Sequence, residues 1–219
     1  MKLVWSAETA SEAYIDTVKN CEIYEESSVA ELLSAMAAGW NAKLVVETFT
    51  QGGVITTSIG LSIASRRTDG RHVCIVPDER SGSEYAQAMR DVGMEPEVIV
   101  GEPEKVMEGL TGIDFLVMDC RQKDFAKVLR FAKLGNRGAV LVCKHASSKN
   151  ALNFRWRSVM EGCSRRVVRS VFLPVGKGLD IAHVAATGGG GGSGDGGKRA
   201  SRWIKHIDRQ SGEEHLIRR

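Results

Sequence analysis

The sequence predicts an α/β domain built on a doubly wound, mostly parallel sheet, and two observations support this fold class. Between residues 43 and 143, short apolar runs typical of strands alternate with amphipathic stretches typical of helices. The strand runs are almost continuously apolar, as expected when helices cover both faces of the sheet. Regular alternation also favours crossover connections between parallel strands. We therefore expect a Rossmann-like architecture.

The first 39 residues precede this alternation and are predicted to be helical. Ser6 is a suitable residue for a helix start, and Tyr14, Ile15 and Val18 follow it at helical spacing. A second helix is predicted over residues 29–38, after an acidic and polar connection. Gly39 would close it, since a residue without a Cβ often ends a helix.

The alternating region contains five predicted strands and four predicted helices. Beyond residue 150 a short helix is expected, followed by two strands that predict an antiparallel pair at one edge of the sheet. The predicted strands are 43–47, 72–76, 97–100, 113–118, 138–143, 166–173 and 179–185, and the predicted helices are 54–67, 83–92, 104–110, 123–134 and 154–160.

The domain organisation follows from a change of composition near the end of the chain. Residues 1–186 are predicted to form one Rossmann-like domain, with residues 1–39 as its helical lead-in. Residues 187–198 are a predicted flexible linker, because eight of the ten residues from Gly188 to Gly197 are glycine. Residues 199–219 are a predicted basic β-hairpin, which is too small to be stable unless it packs on another surface.

Composition limits the partners and the compartment. A net charge of +3 does not indicate general binding to polyanions, so nucleic-acid contact through the basic tail and Trp203 is only a weak alternative. No apolar run approaches the roughly 18 residues of a membrane span, and no secretory signal is visible. The five cysteines form no CxxC pair, which favours buried free thiols in a reducing compartment. We expect a cytoplasmic protein, with the nucleus as a second location. The sequence also leaves open whether the protein forms a homodimer.

Candidate site residues follow the carboxyl ends of the predicted strands, where open parallel sheets bind ligands. Gly52 and Gly53 follow the first strand and could present backbone N–H groups to an anionic ligand, or simply form a tight turn. Asp78 and Glu79 follow the second strand, where a carboxylate can accept hydrogen bonds from ribose hydroxyls. The sequence does not separate these two acids.

Two further strand ends carry polar residues. Asp119 ends the fourth strand and could orient a substrate, bind a metal, accept a proton, or cap the following helix. Lys144 and His145 end the fifth strand and could bind an anion or act in acid–base chemistry, although a histidine on a loop is often only solvated. His183, within an apolar run, is predicted to be structural. No metal-binding, nucleophile-elbow or P-loop motif is present.

These residues together resemble the class I S-adenosylmethionine-dependent methyltransferases, especially the catechol and caffeoyl-CoA O-methyltransferases. That resemblance covers about residues 30 to 186. Nearly the whole chain resembles a plant family of proteins of unknown function that shares this fold. The segments that carry the resemblance are AKLVVET, SIGLSIA, RHVCIVPDERSGSEYAQAMRDVGM, GIDFLVMDC, GAVLVCKH and, for the plant family, RWIKHIDRQSGEEH.

The resemblance implies S-adenosylmethionine as cofactor and a small molecule as methyl acceptor. It places Glu47 on the acid of the first motif, Gly53 on its late glycine, and Asp78 or Glu79 on the ribose-binding acid. It also places Asp119 on the aspartate that follows the fourth strand. If methyl transfer proceeds without metal, the groups expected to carry it are Asp119, Lys144 and His145.

The sequence departs from the family pattern at two points. Phe49 replaces the glycine that comes two residues after the first-motif acid, and its ring would crowd the methionine end of the cofactor. Lys144 and His145 stand where the metal-dependent enzymes have an Asp-Asn pair, and a lysine opposes a divalent cation. We therefore expect no metal. The alternative function is an inactive methyltransferase-fold protein that binds a ligand or a partner.

Overall fold

A seven-stranded sheet forms the centre of the first of two units, Met1–Thr187 and Gly188–Arg219. The computed structural model describes residues 5–24, 27–50, 52–122, 124–148, 154–160, 165–187, 203–207 and 214–218. The strands of the first unit are β1 Leu44–Thr48, β2 Arg71–Val76, β3 Glu97–Val100, β4 Thr111–Ile113, β5 Phe115–Asp119, β6 Lys133–Leu134, β7 Ala139–Lys144, β8 Val167–Leu173 and β9 Leu179–Val184. The helices are α1 Ala7–Asn20, α2 Ser28–Gly39, α3 Thr56–Arg67, α4 Glu79–Asp91, α5 Pro103–Gly109, α6 Phe125–Phe131 and α7 Trp156–Val159.

The strand order is β3-β2-β1-β5-β7-β9-β8. The first five of these strands pair in parallel, whereas β9 is antiparallel to both of its neighbours, β7 and β8. The chain adds β2 and β3 on one side of β1 and then returns to add β5 and β7 on the other side. The crossover helices α3 and α4 of the first side therefore cover one face of the sheet, and α5 and α6 cover the other. This topology confirms the predicted doubly wound, mostly parallel sheet with an antiparallel pair at one edge.

Alternate residues of the central strands face two separate apolar layers. Val45 and Val142 pack with buried residues of the helices α1 to α4 on one face. Val46 and Leu141 pack with buried residues of α5, α6 and α7 on the other. All five residues of β1 and of β5 are buried. The apolar strand runs therefore arise because every side chain in them leaves water.

Local capping decides where two helices begin. The Ser6 side chain accepts a hydrogen bond from the backbone N–H of Thr9 at 3.3 Å, which starts α1 as predicted. The Asp78 side chain does the same for Ser81 at 2.8 Å. As a result α4 begins at Glu79, four residues before the predicted start. The apolar periodicity that guided the prediction marks the buried face of a helix, not its capped end.

A buried aspartate divides the predicted strand 113–118 into β4 and β5. Asp114 is 5% exposed, and its carboxylate accepts hydrogen bonds from the backbone N–H groups of Lys43 and Leu44 at 2.8 and 3.4 Å. The residue thereby fixes the start of β1 against β5. The predicted helix 123–134 is also shorter in the structure, because its last residues form β6 and pair with β4.

The second unit contains the predicted antiparallel hairpin. Its strands are β10 Trp203–Ile207 and β11 Glu214–Arg218, with Trp203 opposite Arg218 and Ile207 opposite Glu214. The predicted glycine linker and its neighbours, 188–202, lie outside the described residues.

Two smaller predictions concern cysteines and membranes. Cys21, Cys74, Cys120 and Cys143 are buried free thiols, as predicted, and Cys163 lies outside the described residues. Within the described part of the chain, no helix has both the length and the apolar character required to cross a membrane.

Candidate functional site

The carboxyl ends of β1, β5 and β7 open into a shared cavity of about 290 Å³. The turn between β8 and β9 and the first residues of α2 close it from the side. Its polar wall contains Asp119, Arg121, Lys144 and His145, and Gly52 and Gly53 belong to another wall. The remaining lining residues are Ser28, Val29, Thr48, Phe49, Thr50, Val54, Thr56 and 175–179.

The cavity brings five of the eight predicted site residues together. Gly52, Gly53, Asp119, Lys144 and His145 all line it. The other three, at the ends of β1 and β2, are not among its lining residues. They are Glu47, Asp78 and Glu79. The predicted site residues therefore form two groups at one edge of the sheet, one that lines the cavity and one that does not.

Asp119 is the centre of the polar wall. It is 4% exposed, and its carboxylate accepts hydrogen bonds from the Arg121 backbone N–H at 2.9 Å and from the Arg121 guanidinium. Its Oδ1 also lies 3.1 Å from Nδ1 of His145. The following helix begins at Phe125, after Asp124, so Asp119 does not cap it. Both carboxylate oxygens are engaged by neighbours that face the cavity.

The electrostatics of this wall favour an ionised aspartate beside a neutral histidine. Burial opposes ionisation of Asp119, but the Arg121 hydrogen bonds and the neighbouring His145 outweigh it, so the pKa of Asp119 falls below its usual value. Burial lowers the pKa of His145, reinforced by Arg121 and Lys144 and opposed by Asp119. Since an ionised carboxylate can only accept, Nδ1 of His145 must donate, which leaves Nε2 of the neutral ring as an acceptor.

His145 is held in an unusual backbone conformation. Its φ is +56°, in the left-handed region that side chains other than glycine rarely occupy. Two backbone hydrogen bonds attach the following residues to the β8–β9 turn, from Ala146 N–H to Gly178 O at 3.0 Å and from Ser147 N–H to Lys177 O at 3.2 Å. A Cβ on Gly178 would lie 2.6 Å from Oγ of Ser147. Glycine at 178 therefore permits the close approach that fixes the His145 loop.

Lys144 is the last residue of β7 and stands opposite Asp119 in the strand register. Glu47 is opposite Val117 in the same way, and Val117 precedes Asp119 by two residues. Because side chains alternate along a strand, Glu47, Asp119 and Lys144 project from the same face of the sheet. This face also carries α2 and α3, which helps to enclose the cavity.

Glu47 points into the protein core, where it is 1% exposed. Its Oε1 accepts a hydrogen bond from the Tyr85 hydroxyl at 2.9 Å and lies 3.1 Å from Nε2 of His72. Nδ1 of His72 is 2.8 Å from Oγ of Ser62. Burial acts to raise the pKa of Glu47, but the hydrogen bond and charge of His72, with the charge of Lys144, lower it to about 2. Glu47 thus belongs to a buried polar network.

The turn after β1 combines a glycine conformation with an aromatic contact. Gly52 has φ +73°, a backbone conformation that favours glycine. A Cβ at this position would meet no atom within 4 Å, so the backbone conformation and not a lack of space accounts for the glycine. The Phe49 ring lies 4.8 Å, centroid to centroid, from the ring of Tyr85 on α4. Phe49 therefore lines the cavity while leaning toward α4, which follows β2.

The two acids after β2 differ in their roles in the structure. Asp78 accepts from both the backbone N–H and the hydroxyl of Ser81, which lowers its pKa. Glu79 is the first residue of α4 and is exposed. The Asp78 carboxylate therefore serves as the cap of α4. Ribose binding by Asp78 or Glu79 stays a prediction.

Sequence reasoning missed three residues that shape this edge. Arg121 holds Asp119 and stands only two residues after it, a spacing that could have been noticed. His72 and Tyr85 gave no such signal, because each occurs in a segment with an ordinary strand or helix pattern. His183, predicted to be structural, is half-buried with its ring centroid 5.9 Å from that of Trp40.

Several solved structures with a similar fold are described as methyltransferases. A methyltransferase from Geobacter sulfurreducens is 24% identical with a TM-score of 0.57, over 81% of this chain and 90% of the other. The O-methyltransferase TomG from Streptomyces achromogenes, solved with S-adenosylmethionine, is 22% identical with a TM-score of 0.55, over 84% and 92%. An O-methyltransferase from Bacillus cereus, solved with S-adenosylhomocysteine, is 17% identical with a TM-score of 0.56, over 83% and 93%. At these identities the likeness establishes the fold.

A comparison with curated proteins gives no match. One family model, described as a protein of unknown function (DUF1442), matches residues 1–219. The match spans the sheet domain and the hairpin alike. The chain therefore belongs to the DUF1442 family, and its first unit has the fold of the class I methyltransferases.

Proposed function

We propose that this protein is an S-adenosylmethionine-dependent methyltransferase that acts on an oxygen of a small molecule, with His145 as general base. The observation that carries the proposal is the hydrogen-bonded Asp119–His145 pair in the cavity wall of a methyltransferase-type sheet. A neutral imidazole held by a buried carboxylate is suited to accept a proton from a hydroxyl group. The solved neighbours that contain S-adenosylmethionine or S-adenosylhomocysteine support the choice of cofactor.

The residues of this edge fit the cofactor at its carboxylate end. The Gly52 turn leads into the N-terminus of α3, a 12-residue helix without a side-chain cap and without an acid in its first turn. Uncapped N–H groups at a helix start bind carboxylates well. Asp78 and Glu79 follow the next strand, β2, where a carboxylate could accept hydrogen bonds from ribose hydroxyls.

In this reaction the chain positions and deprotonates the acceptor. S-adenosylmethionine, when bound, supplies an electrophilic methyl group. His145 would accept the proton of the acceptor hydroxyl at Nε2, which would leave the acceptor oxygen free to receive that methyl group. Asp119 keeps the imidazole oriented through Nδ1 and favours the protonated ring that results, and Arg121 holds Asp119.

Metal assistance is not part of the proposal. The Asp119 oxygens already accept from Arg121 and lie beside His145, and Lys144 on β7 is the residue opposite Asp119 in the strand register. Cationic neighbours oppose the entry of a divalent ion. Among the described residues, no group of three or more His, Cys, Asp or Glu side chains could hold a metal ion.

Calorimetric titration with S-adenosylmethionine and S-adenosylhomocysteine tests the cofactor. We expect saturable binding and a higher Tm in the presence of either ligand. No heat and no thermal stabilisation at high ligand concentration would refute the proposal.

A second function is favoured by Phe49, whose ring leans on Tyr85 beside the turn after β1. If this ring blocks the cofactor, the protein is an inactive methyltransferase-fold module that binds a small ligand in the cavity. Cofactor titration of the wild type and of a Phe49→Ala variant distinguishes the two functions, because a module blocked by this ring would bind no cofactor as the wild type, whereas a methyltransferase would bind it with the ring in place.

We also propose that the protein works in the cytoplasm or nucleus of a plant cell. The resemblance to the plant family supports the source, and the four buried free thiols support a reducing compartment. A fluorescent fusion expressed in plant cells tests the location.

A further inference from the structure

We propose that the methyl acceptor carries an acidic group, a carboxylate or a phosphate, which Lys144 and Lys177 bind inside the cavity. This inference rests on the proposed function, since it identifies the substrate class of the same site. It follows from the charge of the cavity wall, from the position of the two lysines, and from the way their loops are joined.

The cavity wall has more cations than anions. Three basic side chains line it, those of Arg121, Lys144 and Lys177, whereas Asp119 is its one acidic residue among those described. Arg121 donates to both oxygens of Asp119, so these two residues form one ion pair. The charges of the two lysines are left to act on a ligand.

Among the described residues, neither lysine has a carboxylate partner of its own. Within the described part of the chain, no carboxylate oxygen lies within 4.0 Å of the Nζ atom of Lys144 or Lys177. Glu47 feels the charge of Lys144, but its Oε1 is bound to Tyr85 and His72 in the core. Lys144 is half-buried, so an anion beside it would be attracted more strongly than in water.

The backbone places both lysines beside the proposed base. Lys144 directly precedes His145. Lys177 belongs to the β8–β9 turn, and its carbonyl oxygen accepts from the N–H of Ser147, two residues beyond His145. On its other side this turn touches α2, because a Cβ on Gly176 would lie 2.7 Å from Cγ2 of Val29. The lysines and the base therefore belong to one connected segment of the wall.

In this arrangement the two lysines bind the acceptor and His145 accepts its proton. An acidic group on the acceptor would bind the two lysines, and its hydroxyl would then reach Nε2 of His145. Charge-assisted hydrogen bonds are stronger than neutral ones, so we expect an anionic acceptor to bind about tenfold tighter than a neutral one of the same shape. An acceptor without the charge would lack this anchor.

Matched phenols test the inference by calorimetry at neutral pH. The probes are 4-hydroxybenzoate, 4-hydroxyphenyl phosphate and the uncharged methyl 4-hydroxybenzoate, each titrated into the full chain with and without S-adenosylhomocysteine. The variants are Lys144→Gln and Lys177→Gln. Lys105→Gln is the matched control, because Lys105 is an exposed lysine of α5 outside the cavity.

We expect at least one acid to bind about tenfold tighter than the ester, and the preference to shrink in both variants but not in the control. Added salt should weaken the acids more than the ester. The two acids separate a carboxylate site from a phosphate site. Lys177 is an exposed turn residue, so its variant tests the inference even if Lys144→Gln fails to fold.

Equal affinity for acids and ester, failure of both acids to bind, or a preference that survives Lys177→Gln would overturn the inference. The same titrations test the proposed function independently of the substrate class. Cofactor binding without an anion preference overturns only the substrate class, whereas an anion preference without cofactor binding overturns only the methyltransferase.

Discussion

The two halves of the sheet's carboxyl edge use acidic residues in opposite ways. On the β5–β7 side, Asp119 faces a cavity and shares it with His145. On the β1–β2 side, Glu47 turns into the core and binds Tyr85 and His72. Both acids are at most 4% exposed and both have lowered pKa values. The difference lies in their partners, because those of Asp119 line the cavity and those of Glu47 are buried.

This comparison shows that a strand-end carboxylate is not by itself a ligand-binding group. A polar partner at the cavity surface leaves the acid available to chemistry, whereas partners in the core make it a structural element. We therefore expect substitution of His145, the partner of Asp119, to change catalysis and substitution of Glu47 to change stability.

The largest effect is expected for His145→Gln. Loss of a general base lowers methyl transfer by about a thousandfold, while the free energy of unfolding should change little because His145 is only half-buried. The measurement is a steady-state rate with an accepted substrate. His183→Gln is the matched control, since His183 packs on Trp40 away from the cavity, and equal losses in both variants would contradict the assignment.

The same base predicts the pH dependence of the wild type. The pKa of His145 is lowered below 6.5, chiefly by burial, so the neutral, proton-accepting ring predominates above that pH. The rate should rise from acid pH and level off with an apparent pKa below 6.5, and His145→Gln should lack this limb. A profile that is unchanged in the variant would assign the titration to another group.

Glu47→Leu should have the largest effect on stability. It leaves the Tyr85 hydroxyl and the His72 ring without their shared acceptor in the core, which costs about 3 kcal/mol. Urea unfolding at neutral pH measures this cost. The exposed Glu108→Leu, on α5, serves as control and should change the free energy of unfolding by less than about 0.5 kcal/mol.

Acid sensitivity gives a second test of Glu47. Its pKa is about 2 in the folded protein against an ordinary value of 4.5, so the unfolded state binds the proton first as pH falls. The stabilisation is therefore present above pH 4.5 and disappears as pH approaches 2. Glu47→Gln should lose less stability over this interval than the wild type, and parallel curves would show that the carboxylate does not titrate in this way.

Phe49→Ala tests whether the β1–β2 side is closed to the cofactor. Removing the ring abolishes its contact with Tyr85 and lowers stability by about 1 kcal/mol. It also opens space between the cavity and the end of β2, so affinity for S-adenosylhomocysteine should rise by about tenfold, or 1.4 kcal/mol. Calorimetry measures the affinity, and weaker binding in the variant would mean that the ring supports the cofactor.

The smallest effect concerns the two acids after β2. Asp78→Ala removes the α4 cap and should lower the free energy of unfolding, whereas Asp78→Asn keeps a good cap and should lower it much less. Both variants remove the charged acceptor for a ribose. Weaker cofactor binding in Asp78→Asn assigns the ribose to Asp78, weaker binding in Glu79→Gln assigns it to Glu79, and unchanged affinity in both refutes the ribose prediction.

Most of the fold was predictable because its signals are local. Continuous apolar runs mark buried parallel strands, and every strand predicted in the sheet is present within about two residues at each end, apart from the division of 113–118. That division depends on Asp114, whose partners Lys43 and Leu44 are about 70 residues away. The early start of α4 depends on a cap and not on periodicity.

The sequence predicts the positions of the site residues along the strands but not their hydrogen-bond partners. The apolar runs of the sequence predict that Glu47, Asp119, Lys144 and His145 lie at strand ends, and strand ends in a parallel sheet share one edge. No local pattern indicates that Asp119 contacts His145 while Glu47 contacts His72 and Tyr85, contacts that form in the folded protein. The physical reason is that strand register and side-chain direction, set by packing across the whole sheet, choose which distant groups come within hydrogen-bond distance.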